Sequence, residues 1–226
     1  AGVPVVIGHA RSAGVDEGLK GLVTKFIRIP LKYRADCCLA CSREAGEAVY
    51  GKRWMERGRV EVIPNAIEAQ KYAYDEAVRT SVRKELGIEG KLLIGHVGNF
   101  RTAKNHSFLI RVFAEICKKR KDAALLLVGE GPLMETVKKQ VVETGLEQMV
   151  FFMGSKAEVS SYYQAMDYLV FPSFFEGLPG AVIEAQTAGL RCLVSDTVTK
   201  EVGVTELVNF FSLKRTGGIC CATLHL

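Results

Sequence analysis

The chain alternates continuous apolar segments with amphipathic ones along most of its 226 residues, and this alternation limits the folds open to it. The pattern is clearest between "KLLIGHVG" (91–98) and "AALLLVGEG" (123–131). The stretch between them predicts a helix over 106–119, since apolar residues recur at helical spacing, at Leu109, Val112, Phe113 and Ile116. Apolar strands separated by helices are typical of parallel sheets covered on both faces. The sequence therefore predicts an α/β fold built from such sheets.

The same pattern extends over the rest of the chain. Strands are predicted at 3–9, 36–42, 59–65, 91–98, 149–154, 167–173 and 191–196, the first two as buried strands, and a strand followed by a turn is predicted at 123–131. Helices are predicted at 17–31 with a break at Pro30, and at 43–51, 106–119, 132–145, 157–166 and 180–189. A polar, helix-prone link at 75–87 separates a shorter first part from a more regular second part. Two domains are therefore expected.

Composition and charge argue against several classes of protein. The net charge is only +5, and basic residues are not interleaved with aromatic ones, so we expect no nucleic-acid partner. No apolar run reaches the roughly 18 residues that span a bilayer, and no basic stretch precedes the first apolar run as in a signal peptide. The cluster "CKKRKD" (117–122) is expected to be a solvated helix end, with contact to anionic lipid or a phosphorylated substrate as the alternative.

Seven cysteines occur without regular spacing. The pair Cys38-x-x-Cys41 would need a second ligand pair or a thioredoxin-like context to form a metal or redox site. We expect instead a buried strand in which cysteine acts as a small apolar residue. His9, His96 and His106 show no pairing rhythm, and no Asp-x-Asp offers ligands, so no metal is expected. Free thiols in this number favour a reducing cytoplasm.

Ligands of parallel sheets bind at the carboxyl ends of the strands, which directs attention to the loops that follow them. The loop "VGNFRTAKNH" (97–106) contains Gly98, Arg101 and Lys104 and leads into a helix. A glycine lets a ligand approach the backbone, a helix N-terminus attracts phosphate, and a lysine adds a mobile cation. A basic surface loop is the alternative. The loops "LLVGEGPL" (126–133) and "FFMGSKAEV" (151–159) say little as isolated motifs.

The stretch "FPSFFEGLPGAVIEAQTAGL" (171–190) brings two acids to a strand–turn–helix corner. Glu176 falls in the turn and Glu184 in the second turn of the helix. Two carboxylates there repel each other and lose hydration unless each has partners. Hydroxyl groups are natural partners, since one carboxylate can accept two hydrogen bonds from a vicinal diol such as that of a ribose or a hexose.

Four blocks resemble those of a known family and occur in its order: "VIPNAIE", "GHVGNFRTAKNHSFLI", "LLVGEGPL" and "PSFFEGLPGAVIEAQTAG". They are similar to the retaining GT-B glycosyltransferases of the family 4 group, most of all to capsular and exopolysaccharide members. The resemblance covers about residues 1–213 and implies a GT-B type α/β fold. Residues 1–74 would form part of an acceptor-side N-terminal domain, 75–213 the nucleotide-sugar domain, and 214–226 an atypical tail. The chain is thus expected to be incomplete at both ends.

The resemblance also implies roles for individual residues. Glu184 would bind the ribose hydroxyls of the donor, and Glu176 would contact hydroxyls of the transferred sugar. Gly177 and Leu178 would offer backbone amides to the donor. His9 would be the active-site histidine, with a strand-end histidine of no chemical role as the alternative.

Further positions would bind the diphosphate and the base of the donor. Asn99 stands where the family often has arginine, and Arg101 is expected to compensate for it. The leaving diphosphate would be stabilised by cations and a helix N-terminus, without a metal. The positions expected at the diphosphate and the base are Gly98, Asn99, Arg101, Lys104, Ser155 and Lys156.

The function expected from this resemblance is transfer of a sugar from a nucleotide sugar, with a UDP-sugar as the expected donor. The acceptor would be a saccharide or a lipid-linked molecule in cell-surface polysaccharide synthesis. The expected location is the cytoplasm, with peripheral contact at the inner face of the cell membrane left open. One alternative is a nucleotide-sugar-binding module without transferase activity. A dinucleotide-dependent enzyme is disfavoured because no G-x-G-x-x-G follows the first strand.

Overall fold

The computed structural model describes residues 2–14 and 19–214, and it divides into two compact units. The first unit contains the described residues up to Ala66 together with Phe175–Pro179 and Val198–Val202. The second contains Ile67–Phe174, Gly180–Thr197 and the residues from Gly203 onward. The domain boundary expected at 74/75 stays a prediction, and the expected tail lies, beyond Lys214, outside the described residues.

The first unit contains a parallel sheet in the order β1-β2-β3. Its strands are β1 (Ile7–Ala10), β2 (Cys37–Ala40) and β3 (Glu61–Val62). Its helices are α1 (Leu19–Arg28), α2 (Leu31–Arg34), α3 (Arg43–Tyr50) and α4 (Lys52–Glu56). Pro30 separates α1 from α2, as expected from its missing N–H group. Cys38 and Cys41 are buried free thiols, which confirms their small apolar role.

Two strand predictions for this unit are too long. The run at 3–9 becomes a strand only at Ile7, and the run at 59–65 contributes only two residues to the sheet. The expected burial of 3–9 is wrong as well, since Val3 is 63% and Ile7 61% exposed. Val3 lies before β1, and β1 has a single neighbouring strand in the described sheet, so fewer groups screen these side chains from water than in a central strand.

The second unit contains six parallel strands in the order β6-β5-β4-β7-β8-β9. They are β4 (Leu92–Val97), β5 (Ala123–Val128), β6 (Val150–Gly154), β7 (Tyr168–Phe171), β8 (Arg191–Ser195) and β9 (Val208–Phe211). The helices are α5 (Glu76–Glu85), α6 (His106–Lys119), α7 (Met134–Glu143), α8 (Ser160–Ala165) and α9 (Gly180–Thr187). The chain builds outward from β4 to β6, then returns to place β7 beside β4. This doubly wound order creates a switch point at the carboxyl ends of β4 and β7, the place where sheets of this kind generally bind ligands.

The core of the second unit lies between α6 and the centre of the sheet. Every residue of β5 is buried, and α6 has the bounds that its apolar spacing predicts. The predicted apolar face is at most 1% exposed, at Leu109, Val112, Phe113 and Ile116. Burying each such side chain contributes about 1.5–3 kcal/mol, so this face fixes the helix that follows the switch-point loop.

The helix-prone link at 75–87 forms α5 and is tied to the start of β7 by a partly buried ion network. Asp167 accepts hydrogen bonds from Arg79 at 2.6 Å and from Arg83 at 3.3 Å. The backbone N–H of Leu93 donates to the same carboxylate at 2.7 Å. The network therefore links α5, through Asp167, to the start of β7 and to Leu93 near the start of β4.

Candidate functional site

Two loops meet at the switch point of the second unit. The backbone N–H of Phe174 donates to the carbonyl of Ala103 at 2.8 Å, and Asn105 Nδ2 donates to the carbonyl of Pro172 at 3.2 Å. Asn105 adopts a left-handed conformation with φ 54°, alone among the described residues other than glycine. That turn directs the chain into α6, so the N-terminus of a 14-residue helix lies at this edge of the sheet.

The loops after β4, β5 and β6 are in backbone contact with one another. The N–H of Gly98 donates to the carbonyl of Val128 at 2.9 Å, and the N–H of Gly129 donates to that of Gly154 at 2.8 Å. Gly129 has φ +138°, and a Cβ atom there would lie 2.2 Å from the carbonyl oxygen of Gly98. Glycine is therefore required at 129 for the two loops to approach each other.

Lys104 folds over the first of these loops. Its Nζ lies 4.5 Å from the centre of the Phe171 ring, at the carboxyl end of β7. A Cβ atom on Gly98 would approach Lys104 Cε at 3.1 Å, which places the lysine stem along that glycine. Asn99 and Arg101 are exposed on the same loop. Within the predicted phosphate loop, the side chain of Lys104 thus lies along Gly98 and reaches the end of β7, and Arg101 is three residues earlier in the same loop.

Two histidines lie beneath this loop, and the sequence analysis did not predict their contact. The rings of His96, on β4, and His106, the first residue of α6, are 4.7 Å apart. His96 Nδ1–H donates to the carbonyl of Val170 at 2.9 Å, and His106 stacks on Phe100 at 4.0 Å. Burial lowers the pKa of His96 well below its ordinary value, and burial with the charge of Lys104 lowers the pKa of His106 to about 4. Both rings are therefore neutral at pH 7.

Glu184 is held by a buried tyrosine within the second unit. Tyr163, on α8 and 1% exposed, donates its hydroxyl to Glu184 Oε2 at 2.8 Å. Burial and the nearby Glu184 charge raise the pKa values of Tyr163 and Tyr72, so both phenols stay protonated. A Cβ atom on Gly180 would lie 3.7 Å from Glu184 Oε1, so the carboxylate turns back toward the first turn of α9. The sequence analysis did not predict this contact, and the only local sign of a tyrosine partner for Glu184 was the pair of tyrosines in "SSYYQAM".

The expected base-binding residues follow β6. Ser155 and Lys156 are exposed there. The backbone N–H of Ser155 donates to Glu130 Oε1 at 3.1 Å, which links this loop to the one after β5. The amide of Ser155 therefore already has an acceptor within the protein.

The other predicted residues belong to the first unit. His9 is exposed on β1 and pairs with Leu39 in the sheet. Glu176 is half-buried, whereas Gly177 and Leu178 are buried. The structure therefore groups His9 and Glu176–Leu178 in one unit and the phosphate loop, Ser155, Lys156 and Glu184 in the other.

Within 2–14 and 19–214, no cluster of three or more His, Cys, Asp or Glu side chains has an arrangement that could hold a metal ion. Among the helices of that same part of the chain, none is both long and apolar enough to cross a bilayer.

Comparison with known proteins places the chain in a family. Residues 78–211 match the model for glycosyl transferases group 1. EpsF of Bacillus subtilis, named as a glycosyltransferase, is 34% identical over 209 residues, which cover 89% of this chain and 54% of EpsF. The UDP-Gal:alpha-D-GlcNAc-diphosphoundecaprenol alpha-1,3-galactosyltransferase of Escherichia coli is 29% identical over 209 residues, 87% of this chain and 52% of that protein. The chain spans about half the length of these curated relatives.

Solved structures show the same fold. Anabaena HepE in complex with UDP and glucose has a TM-score of 0.79 at 17% identity, covering 95% of this chain and 59% of HepE. Sucrose-phosphate synthase from Thermosynechococcus elongatus has a TM-score of 0.78 at 21% identity, covering 95% of this chain and 56% of the synthase. At these identities the likeness concerns the fold alone, and it confirms the expected GT-B type α/β class. Because the family model covers more than half of the sequence, the chain belongs to the group 1 glycosyltransferases.

Proposed function

We propose that the chain binds a nucleotide sugar, with UDP as the nucleotide, and that the whole protein transfers the sugar with retention. The observation that carries this proposal is the switch point between β4 and β7. There a glycine loop, a lysine and the N-terminus of α6 come together. These three features suit a diphosphate, which needs close approach to the backbone and compensation of its negative charge.

Lys104 and the α6 N-terminus would stabilise the charge that develops on the leaving diphosphate. The stem of Lys104 lies along Gly98, and its ammonium lies near the Phe171 ring, so the cation is directed to the end of β7. Arg101 is exposed on the same loop and would add a second cation in place of the arginine that Asn99 replaces. We propose that this charge compensation operates without a metal ion.

Glu184 would bind the ribose of the donor. Tyr163 donates to one of its carboxylate oxygens, and the other oxygen lies near the first turn of α9. A carboxylate has about four acceptor positions, so it can still accept hydrogen bonds from two vicinal hydroxyls. Glu176 would contact the transferred sugar, and His9 would be the active-site histidine.

We propose a saccharide or lipid-linked acceptor in the synthesis of a cell-surface polysaccharide, in the cytoplasm. The E. coli relative is named for a diphosphoundecaprenol-linked acceptor, as is a Campylobacter jejuni relative that is 26% identical over 175 residues. Peripheral contact with the inner face of the membrane is supported by exposed side chains of the first unit. Phe26 of α1 is 71% exposed, and Tyr33, which stands between Lys32 and Arg34 in α2, is 70% exposed. Such a mixture of apolar and basic groups suits an anionic lipid surface.

A binding screen tests the proposal. The full chain is titrated with UDP, GDP and ADP and with matching nucleotide sugars, and we expect UDP compounds to bind at least about tenfold more tightly. Lys104→Met should weaken UDP binding, whereas Lys84→Met, a matched change at an exposed lysine on α5, should not. Preference for another base would overturn the choice of UDP, and absence of all binding would overturn the proposal.

Transferase activity is tested separately. The whole protein is incubated with the preferred nucleotide sugar and a polyprenyl-diphosphate-linked sugar, and the anomeric configuration of any product is determined by NMR. A product with the anomeric configuration of the donor supports a retaining transferase. Donor binding without transfer supports the alternative of a nucleotide-sugar-binding module.

A further inference from the structure

Two side chains without an assigned role hold the backbone next to Glu176. Ser42 follows β2, is 0% exposed, and donates its hydroxyl to the carbonyl of Gly177 at 2.7 Å. Asn65 follows β3, and its Nδ2 donates to the carbonyl of Leu178 at 2.7 Å. Two successive carbonyls of the turn are therefore bound from the carboxyl ends of two neighbouring strands.

Close packing holds the same turn from another side. A Cβ atom on Gly177 would lie 2.4 Å from the carbonyl oxygen of Arg11 and 2.8 Å from Cys41 Sγ. Leu178 is buried, and Pro179 after it has a φ angle fixed by its ring. The segment 177–179 therefore has little room to move within the first unit.

The hydroxyl of Ser42 is itself fixed in orientation. Ser42 is the N-cap of α3, and its Oγ accepts a hydrogen bond from the backbone N–H of Ala45 at 3.1 Å. With that lone pair engaged, the hydroxyl proton is directed to Gly177. The first turn of α3 thus orients the donor that binds the glycine carbonyl.

We propose that Ser42 and Asn65 are positioning residues that hold the carbonyls of Gly177 and Leu178, and thereby fix Glu176 for binding of the transferred sugar. This inference rests on the proposed function, since it concerns the sugar-contacting end of the same donor. Glu176 directly precedes Gly177, whose carbonyl is the first of the two that are bound. If that carbonyl were released, the backbone at Gly177 would move more, and the Glu176 carboxylate would move with it. Neither side chain acts on the reacting atoms.

The test uses isosteric and conservative variants of the full chain. Asn65→Asp keeps the shape but removes the donor, and Ser42→Ala removes the hydroxyl. Ser42→Thr keeps both the cap and the donor. Ser42→Ala also loses the N-cap of α3, whereas Asn65→Asp changes no helix cap. An effect that both variants share therefore comes from the lost hydrogen bond to the turn.

Two quantities are measured in each variant. Hydrogen exchange of the amides at 175–178 should become about tenfold faster in Asn65→Asp and Ser42→Ala, because a factor of ten corresponds to about 1.4 kcal/mol, near the worth of one buried hydrogen bond. UDP affinity should stay within about twofold. The extra affinity of a UDP-sugar over UDP should fall at least about fivefold. Ser42→Thr should restore both quantities.

Unchanged exchange in Asn65→Asp and Ser42→Ala would overturn the inference. Faster exchange with an unchanged affinity gain from the sugar would overturn the positioning role. If the wild-type chain bound neither UDP nor a UDP-sugar, the proposed function would fail. The role of Ser42 and Asn65 in binding of the sugar would then fail as well. The exchange rates would then still decide whether Ser42 and Asn65 hold the turn.

Discussion

Acid should destabilise the second unit through His106. An unfolded histidine titrates near pH 6.5, whereas burial and Lys104 lower the pKa of His106 to about 4 in the folded state. Between these values the unfolded chain binds more protons, so its population rises as the pH falls. The stabilising effect is complete above pH 6.5 and is lost toward pH 4. The difference between these two pKa values corresponds to roughly 3 kcal/mol.

Replacing the ring tests this reasoning. Within the described part of the chain, neither ring nitrogen of His106 has a hydrogen-bond partner, and the ring stacks on Phe100. His106→Phe should therefore change the free energy of unfolding at pH 7.5 by less than about 1.5 kcal/mol. It should also remove the share of acid sensitivity that comes from His106. His96, whose pKa is lowered in the same direction, would keep its own share.

The assay is urea unfolding at pH 4.5 and 7.5, followed by pulsed hydrogen exchange of β5, whose residues are all buried. This readout reports the second unit, whereas the single tryptophan, Trp54, lies in the first. Ile110→Val, on the same helix, is the control and should cost about 0.5–1.5 kcal/mol equally at both pH values. Equal acid-induced losses in the wild type and His106→Phe would refute the reasoning.

Two further predictions concern the switch-point loops. Gly129→Ala should lower the free energy of unfolding by at least about 2 kcal/mol, because its Cβ would collide with backbone at φ +138°. Gly145→Ala, with φ +66° and open space around it, should cost about 1 kcal/mol, as thermal unfolding would show. Lys104→Ala and Arg101→Ala should each weaken UDP binding, more strongly at low salt. A loss only in Lys104→Ala would mean that Arg101 does not compensate for Asn99.

Much of the second unit follows from local sequence patterns. The helix at 106–119 and the strands β4, β5, β7 and β8 follow from an apolar face or run that is mostly buried in this unit, whereas β6 follows from an apolar run of which only Val150 is buried. Several expectations needed adjustment: α8 begins at Ser160 rather than at 157, and α9 ends at Thr187 rather than at 189. Pro132 lies in the turn before α7 rather than within its first turn, since that helix begins at Met134, and β9 was missed. The run of β9 is short, and only its pairing with β8 identifies it as a strand.

The contacts around the acids could not be predicted in the same way. Glu176 and Glu184 were identified by their spacing within one motif, which is a local property. Asn65 and Leu178, by contrast, are 113 positions apart, and Tyr163 and Glu184 are 21 apart on different helices. Only the folded chain brings such pairs together, because no periodicity of the sequence encodes them.

The most direct test of the account compares the two glutamates in one calorimetric experiment. UDP and a UDP-sugar are titrated into the wild-type chain, Glu184→Gln and Glu176→Gln. We expect Glu184→Gln to weaken both ligands, by about 1.5–3 kcal/mol for a charged hydrogen bond, because ribose is common to both. Glu176→Gln should weaken only the UDP-sugar. Equal losses for both ligands in both variants, or an unchanged affinity of Glu184→Gln for UDP, would contradict the account.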